Sequence, residues 1–327
     1  MNILFDGNYL YHKTFSIFAT YYKGQDMNEV LQDKEKQQVL LRKLVIDMCN
    51  TVRLWDDVNR VVVVFDTHSW RYNFYSDYKY ALTRIRDNYY EEFLRMLDEF
   101  ERFLRKKGVI VSRVDGAEGD DLMYIWSVYF GVVLDEELLI VTGDSDIRQI
   151  MTPNVALFNN NSKNLKLYCV PEVEEVWRMR LPEGAELVTV RPFDVLLYKV
   201  ILGDKSDNIP QVKKGFGEKA LAKFIATLPD DPTVMPNIDT QMFPMAEWIA
   251  ARFADFVHEP YEEILAKVNF NLKMTWLSLS VYNDLDYVNA QRKSLLESML
   301  EDVERQKDAY KYNKDWTLES FYGMLVK

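Results

Sequence analysis

The chain has 327 residues, 48% hydrophobic and 14% aromatic, so it can bury a large core and global disorder is excluded. Two cysteines and three widely separated histidines exclude a disulfide framework and argue against zinc or histidine-based chemistry. Carboxylates are therefore the main candidates for a functional site. The net charge of -11 alone excludes no class of partner, because local basic stretches remain, for example between residues 60 and 107.

Three short apolar runs, at residues 3–5, 61–65 and 138–142, have the length and β-branched content of buried strands. Each run is followed immediately or within two residues by an aspartate, namely Asp6, Asp66 and Asp144. Because ligands bind at the carboxyl ends of parallel strands, we expect these three aspartates to converge at one edge of a sheet.

Helical periodicity fills the intervals between these strands, over 41–55 and over 85–104, and Gly108 ends the second pattern. Strands that alternate with helices predict an α/β fold with a parallel, doubly wound sheet. Rings within the second helix, such as Phe93 and Phe100, are expected to pack in the core.

The strand signal fades after about residue 195, and helical patterns follow over 193–202, 218–228 and 245–256. Residues 230–244 contain three prolines and indicate an irregular linker. We therefore expect an α/β domain over 1–190 and a helical domain over 191–327.

Carboxylates cluster at five predicted element ends. They are Asp6, Asp66, Glu118, Asp120, Asp121, Asp144, Asp146, Asp204 and Asp207. Each alone has an ordinary explanation as a turn or helix cap. Nine together would repel each other by several kcal/mol at an effective dielectric of ~20, so the arrangement requires cations. Oxygen ligands without His or Cys select Mg²⁺, with Mn²⁺ as a substitute, and two such ions favour nuclease or phosphatase chemistry.

In their order, these motifs resemble the flap endonuclease or 5′-to-3′ exonuclease family, which includes phage 5′ nucleases and phage-type ribonuclease H. The resemblance spans most of residues 1–225. Its carriers are Phe5-Asp6-Gly7-Asn8, Val64-Phe65-Asp66, Tyr78-Lys79 with Arg86, Glu118-Gly119-Asp120-Asp121-Leu122, Thr142-Gly143-Asp144-Ser145-Asp146 and Leu202-Gly203-Asp204-Lys205-Ser206-Asp207-Asn208-Ile209-Pro210.

The resemblance implies a PIN-like sheet flanked by helices, a helical arch over about 68–107, and a helical domain containing a helix-hairpin-helix module over about 195–228. It also implies a two-metal 5′ nuclease. The first metal group would be Asp6, Asp66, Glu118, Asp120 and Asp121. The second group would be Asp144, Asp146, Asp204 and Asp207, some of them acting through water. Lys79 and Arg86 match the basic pair that contacts the scissile phosphate in this family.

Basic and aromatic residues alternate after the second strand, a mixture suited to single-stranded nucleic acid. From this stretch we expect contacts from Arg71, Tyr78 and Arg84. A Gly-x-Gly turn before a helix suits duplex phosphates. From this turn we expect contacts from Lys213, Lys214, Gly215, Gly217 and Lys219. The resemblance adds a monovalent cation at this hairpin, although the span from Asp207 to Gly215 is one residue longer than usual and lacks the usual proline.

Two other classes remain open: a haloacid-dehalogenase-like phosphatase, which would need a second acid where Asn8 stands, and a non-catalytic structure-specific DNA-binding protein. Within the nuclease class, DNA flaps, nicked duplexes and RNA primers, and hence ribonuclease H activity, are not separated by the sequence. We expect a monomer that acts on branched or RNA-primed duplex DNA and on a single-stranded 5′ flap.

The remaining expectations concern location and partners. The first apolar run follows Met1 without a basic segment or cleavage site, and no apolar run reaches the ~20 residues of a membrane span. We expect a protein of the bacterial or phage-infected cytoplasm without a membrane partner. The aromatic stretch from Trp316 to Gly323 either docks on the helical domain, which we favour, or tethers the chain to a replication partner such as a sliding clamp; a single-strand-binding protein is another candidate partner.

Overall fold

The computed structural model describes residues 1–79, 88–161, 164–229, 242–282 and 294–310. For residues 308–310 it describes the backbone alone. Within these residues, seven strands form one sheet in the order β3-β2-β1-β4-β5-β6-β7. The strands are β1 Asn2–Asp6, β2 Arg60–Val64, β3 Ile110–Ser112, β4 Leu138–Val141, β5 Val155–Asn159, β6 Lys166–Cys169 and β7 Glu186–Thr189.

The predicted α/β fold class is confirmed, with one correction to the parallel sheet. The strands pair in parallel except that β6 runs antiparallel to β5. Only residues 160–165 join these two strands, which is too short for the crossover that a parallel pair requires. The sequence analysis did not predict β3, β5, β6 or β7.

The helices of the described residues alternate with the strands and then follow them. They are α1 Gly7–Tyr21, α2 Met27–Gln32, α3 Lys34–Val52, α4 Tyr90–Lys106, α5 Gly119–Val128, α6 Glu174–Met179, α7 Pro192–Leu202, α8 Glu218–Ile225, α9 Met242–Val257, α10 Tyr261–Thr275 and α11 Leu295–Tyr310. The predicted helices at 193–202, 218–228 and 245–256 correspond to α7, α8 and α9. None of the described helices is long and apolar enough to cross a membrane.

Alternation along β1 directs its side chains to two different cores. Ile3 and Phe5 are buried with α1, α3 and α4, whereas Leu4 is buried on the other face. That second face also receives Val200 of α7 and Leu272 of α10, in one continuous apolar cluster. The helical half of the chain therefore shares one apolar cluster with this face of the sheet; a domain boundary near residue 190 remains a proposal.

The expected arch at 68–107 is described only in part. Residues 80–87, which include Arg84 and Arg86, lie outside the described residues. In α4, Phe93 and Phe100 are buried as expected, so this helix contributes to the core of the domain.

Helix α11 covers β3, an edge strand of the sheet. Ser112 Oγ donates a hydrogen bond of 2.5 Å to Asp302, and Gln306 Nε2 donates one of 2.6 Å to the carbonyl of Val111. These contacts satisfy polar groups along β3, which would otherwise be open to pairing with another chain. The aromatic stretch from Trp316 to Gly323 lies outside the described residues.

Candidate active site

The carboxyl ends of β1 and β2 position the first two predicted aspartates. Asp6 caps α1: Oδ1 accepts a hydrogen bond of 2.8 Å from the Tyr9 amide, and Oδ2 accepts one of 2.8 Å from Thr142 Oγ1. Asn8 Oδ1 accepts the Asp66 amide at 3.1 Å. The position at which a dehalogenase-like phosphatase needs its second acid therefore holds an amide side chain that positions Asp66.

The start of α5 lies directly against Asp66. The Gly119 amide donates a hydrogen bond of 2.6 Å to Asp66 Oδ1, and a Cβ at position 119 would lie 2.8 Å from the same oxygen. Only glycine permits this approach without displacing the carboxylate. It brings Glu118 and Asp120, on either side of Gly119, to the ends of the central strands.

Together these elements form a cleft of about 330 Å³. Its lining residues are Asp6, Asn8, Tyr9, His12, Asp66, Lys79, Glu118, Asp120 and Asp144. Five of the nine predicted metal ligands thus share one cleft with the predicted phosphate-contacting lysine. Among the described residues, no Lys or Arg forms an ion pair with Asp6, Asp66, Asp120 or Asp144.

The crowding of uncompensated carboxylates makes their ionisation unfavourable. Burial and the charge of Asp66 raise the pKa of Asp6 to about 7, against the partial relief that its hydrogen bonds provide. Burial and the neighbouring charges of Asp144, Glu118, Asp66 and Asp6 raise the pKa of Asp120 well above its usual range. A cation in the cleft would remove this penalty.

We expect the metal-free protein to lose stability as the pH rises through this range. The pKa of Asp6 is about 7 in the folded state against ~3.9 for a free aspartate, so the folded state binds more protons between those values. The stability that protonated Asp6 contributes to the folded state is therefore fully present below pH ~4 and is lost as the pH rises to ~7. Urea unfolding in chelator at about pH 5 and about pH 8 measures the effect.

Asp6→Asn is the matched comparison, because asparagine also caps helices and does not ionise. The fall in unfolding free energy between the two pH values should be smaller in this variant than in the wild type. Identical falls would contradict the assignment.

Two predicted residues belong to a buried network instead of the cleft wall. Arg71 is 3% exposed, and its guanidinium pairs with Glu118 at 2.6 Å and with Asp121 at 3.0 Å. Asp121 is fully buried and also accepts hydrogen bonds from Tyr282, at 2.9 Å, and Trp70, at 3.2 Å. Arg71 is thus buried away from the surface, and Asp121 is held by Arg71, Tyr282 and Trp70. Their contacts with nucleic acid and with a metal stay predictions.

Tyr78 is also buried, at 2% exposure, and its contact with nucleic acid stays a prediction. Its hydroxyl donates toward Glu118, at 3.0 Å, and Asp207, at 3.1 Å, and so links α5 to the loop after α7. Lys79 Nζ contacts Glu118 at the cleft, and its amide donates a 3.0 Å hydrogen bond to the Asp207 carbonyl. Burial opposes the ionisation of Glu118, but Arg71 and Lys79 outweigh it and hold its pKa below the usual range.

A second group of carboxylates surrounds a lysine that the sequence analysis did not single out. Lys199 Nζ lies 2.6 Å from Asp146 Oδ2 and 2.5 Å from Asp204 Oδ2. Burial and the Asp144 charge raise the pKa of Asp146 to about 6 despite Lys199. For Asp204, Lys199 and Ser206 outweigh burial and lower the pKa.

The hairpin residues differ in what they can offer a phosphate. Gly215, Gly217 and Lys214 are exposed at the turn before α8, and Lys219 is exposed in the first turn of that helix. Lys213 is half-buried and pairs with Glu259 at 2.7 Å, so its charge is already compensated. The Gln211 side chain accepts the Gly215 amide at 3.2 Å and donates to the Phe216 carbonyl at 3.1 Å, bracing the turn from within.

A divalent cation fits the cleft by charge and by donor type. Carboxylate oxygens are the ligands that Mg²⁺ and Mn²⁺ prefer. Burial and, after it, the neighbouring negative charges raise the pKa of Asp6 and of Asp120, and a bound cation would oppose both effects. The carboxylate side chains of the cleft do not converge on a single point, however. Within the described part of the chain, no group of three or more His, Cys, Asp or Glu residues is arranged to hold a metal ion.

Several site residues were missed because their signals are not local. Lys199 lies in a helix that reads as an ordinary apolar segment, and Tyr282 is one of 20 tyrosines in the chain. Tyr9 and His12 could have been found, since they follow Asp6 within the first two turns of α1.

Comparison with known proteins adds to this geometry. Residues 1–178 match the family model described as the 5′-3′ exonuclease N-terminal resolvase-like domain. DNA polymerase I of Caldicellulosiruptor bescii is 26% identical over 234 residues, which are 68% of this chain and 25% of that protein. The 5′-3′ exonuclease of Buchnera aphidicola is 23% identical over 167 residues, 50% of this chain and 52% of that protein. The chain thus spans between a quarter and about half the length of these relatives.

Solved structures share the fold over nearly the whole chain. The T5 5′-exonuclease with bound zinc ions aligns with a TM-score of 0.60 at 16% identity, over 95% of this chain and 100% of that one. A T5 flap endonuclease in complex with DNA and metal ions aligns with a TM-score of 0.59 at 16% identity, over 95% and 99% of the two chains. At such identities the likeness concerns the fold.

Proposed function

The chain belongs to the family of the 5′-3′ exonuclease N-terminal domain, and from that premise we propose that it is a structure-specific 5′ nuclease. Its substrates would be phosphodiesters of 5′ flaps, nicked duplexes or RNA primers during DNA replication or repair. The observation that carries the proposal is the cleft that Lys79 lines together with four aspartates, none of which forms an ion pair with a described Lys or Arg. The T5 relatives solved with zinc ions and with DNA support both kinds of ligand.

In this proposal, Asp6, Asp66, Asp120 and Asp144 hold a divalent cation, Mg²⁺ or Mn²⁺, and Asp146, Asp204 and Asp207 serve a second one. This changes the grouping that the resemblance implies: Asp144 joins the first group because it lines the cleft, and Glu118 and Asp121 leave it because they pair with Arg71. A bound ion would supply a water of lowered pKa and compensate charge that develops on the phosphate oxygens. The protein contributes the orientation of these ligands. Thr142 and the Tyr9 amide hold Asp6, and the Gly119 amide holds Asp66.

Lys79 is the cation that this chain itself places in the cleft. Its side chain retains 31% of its surface exposed, and its backbone adopts a φ of 52°, which is uncommon outside glycine. The hydrogen bond from its amide to the Asp207 carbonyl holds that conformation. Lys79 therefore combines a fixed backbone with an accessible ammonium, which suits a contact to the reacting phosphate.

Duplex binding is assigned to the exposed hairpin. The amides at the start of α8 have no side-chain cap, and Lys214 and Lys219 are exposed beside them. This arrangement favours backbone phosphates. The proposal also includes a monovalent cation at the hairpin, a clamp or single-strand-binding partner, and a monomeric state. None of these three is argued from a contact among the described residues.

A cleavage assay tests the proposal directly. A labelled 5′-flap DNA and an RNA-primed duplex should both be bound, and at least one should be cut with Mg²⁺ and left intact in excess chelator. Comparing the two substrates decides between flap and primer preference. Binding without cleavage under every metal condition would favour the non-catalytic DNA-binding protein.

Lys79→Ala should lower the single-turnover cleavage rate by about 10²-fold, the scale of losing one electrostatic partner of the transition state. Its effect on substrate affinity should be small, because the ammonium already faces Glu118. Rapid-quench kinetics at saturating enzyme measure the rate, and fluorescence anisotropy measures the affinity.

Lys219→Ala is the matched control, since this lysine is exposed on α8 outside the cleft. It should weaken binding and reduce the salt dependence of affinity by about one phosphate contact, with little change in the rate at saturation. Equal effects of both substitutions on rate and affinity would refute the division of roles.

A further inference from the structure

Lys199 occupies the place between two carboxylates that the proposed function gives to a second cation. It lies in the last turn of α7, and its ammonium is 2.6 Å from Asp146 and 2.5 Å from Asp204. Its side chain is 16% exposed and that of Asp204 is 8% exposed, so the contact is largely shielded from water. An ion pair in such surroundings is screened little by salt.

The remaining contacts of these carboxylates leave Lys199 as their one partner of opposite charge among the described residues. Asp204 Oδ1 accepts the Ser206 amide at 2.7 Å and the Ser206 hydroxyl, whereas Oδ2 accepts Lys199. Asp146 Oδ1 accepts the Ser145 hydroxyl at 3.2 Å, whereas Oδ2 faces Lys199. One ammonium thus offsets one of two negative charges.

The cleft carboxylates stand in contrast to this pair. Asp6 and Asp120 have no ion pair with a described Lys or Arg, so a cation can enter the cleft without displacing a protein charge. At the Asp146–Asp204 pair, a divalent ion would meet the Lys199 ammonium at the same oxygens. Two cations repel each other strongly at such separations, so both cannot remain there.

We propose that Lys199 is the resident counter-ion of Asp146 and Asp204, and that a divalent cation binds this pair only by displacing its ammonium. The inference rests on the proposed function and makes the two cation sites unequal. The cleft binds its ion first, and the second ion binds more weakly by the cost of moving Lys199 into water. Lys199 is then a positioning residue for Asp146 and Asp204. It sets the concentration of divalent metal at which the second ion binds to them.

Calorimetric titration with Mn²⁺, without nucleic acid, tests this inference through binding alone. The wild type should bind one ion tightly and a second ion weakly. Lys199→Met, which keeps the apolar stem and removes the charge, should tighten the second site at least tenfold and leave the first unchanged. Lys199→Gln gives a second neutral variant in case methionine disturbs folding, and Lys199→Arg should leave the second site weak.

Three outcomes would overturn the proposal. If both neutral variants have a lower melting temperature and an unchanged second site, the lysine is only a structural ion pair. If they bind Mn²⁺ as the wild type does but lose DNA affinity with a reduced salt dependence, Lys199 is a phosphate contact. Tightening that persists when Asp146→Asn is added would place the effect elsewhere.

A separate substitution tests the proposed function. Asp120→Asn should remove the first, tight Mn²⁺ site, and its failure to do so would refute the cleft as a metal site. The comparison of Lys199→Met with Lys199→Arg concerns the second site only, so the two results are distinguishable.

Discussion

Replacing Asp120 by asparagine should lower cleavage by roughly 10³-fold or more, since a lost metal ligand should cost at least as much as the ~10²–10³ of one electrostatic partner. In chelator near pH 8, the same variant should be more stable than the wild type. The reason is that burial and four neighbouring carboxylates raise the pKa of Asp120 in the folded state. Its ionisation therefore costs stability as the pH rises, and asparagine avoids that cost.

Cleavage kinetics and thermal unfolding with and without Mn²⁺ measure these opposite effects. A gain of about 1 kcal/mol would appear as a shift of ~1.5 °C in melting temperature. Asp115→Asn is the matched control, because Asp115 is exposed in the loop before α5 and should change neither quantity. An Asp120→Asn enzyme that cut at the wild-type rate would remove this residue from the site.

Replacing Arg71 by methionine should destabilise the protein by about 3–5 kcal/mol, the cost of leaving buried partners of a broken ion pair unpaired. Arg71 pairs with Glu118 and Asp121, and its Nε donates a 2.8 Å hydrogen bond to the Met274 carbonyl. The substitution therefore weakens both the cleft and the attachment of the C-terminal helices. Urea unfolding monitored by tryptophan fluorescence measures the loss.

Arg113→Met provides the comparison on the surface. Arg113 pairs with Asp98 at 2.9 Å and Glu101 at 2.6 Å, with 33% of its side chain exposed. Such pairs contribute at most about 1 kcal/mol. Similar losses for Arg71→Met and Arg113→Met would contradict the role given to the buried network, whereas partial recovery on adding Asp121→Asn would support it.

Local patterns were sufficient for the parts of the fold that depend on local sequence. The apolar runs at 3–5, 61–65 and 138–142 correspond to β1, β2 and β4. They could be recognised from the sequence because each is short, contains β-branched residues and is followed by an acid. Strands β3, β5, β6 and β7 were not predicted. Strand β5 does contain a buried apolar run, but Asn159 ends it and no acid follows directly. Strand β7 is only partly buried, so its sequence lacks the apolar run by which the central strands were recognised.

The sequence also determined which residue types could perform the chemistry. With three histidines and two cysteines, carboxylates at the strand ends were the remaining candidates, and Asp6, Asp66 and Asp144 do reach one cleft. Parallel strands end at a common edge, so a residue that follows each strand is brought to the others by the topology alone.

Only the tertiary structure decided which carboxylates remain available in that cleft. Arg71 comes from 47 residues before Glu118, and Tyr282 from 161 residues after Asp121. Lys199 likewise reaches Asp146 from the other half of the chain. A carboxylate's role depends on whether a cation or donor lies within about 3 Å, since electrostatic and hydrogen-bonding energies fall steeply with distance. Sequence spacing carries no information on such distances, so Asp120 and Asp121, adjacent in the chain, could be assigned to the cleft and to the buried network only from the folded structure.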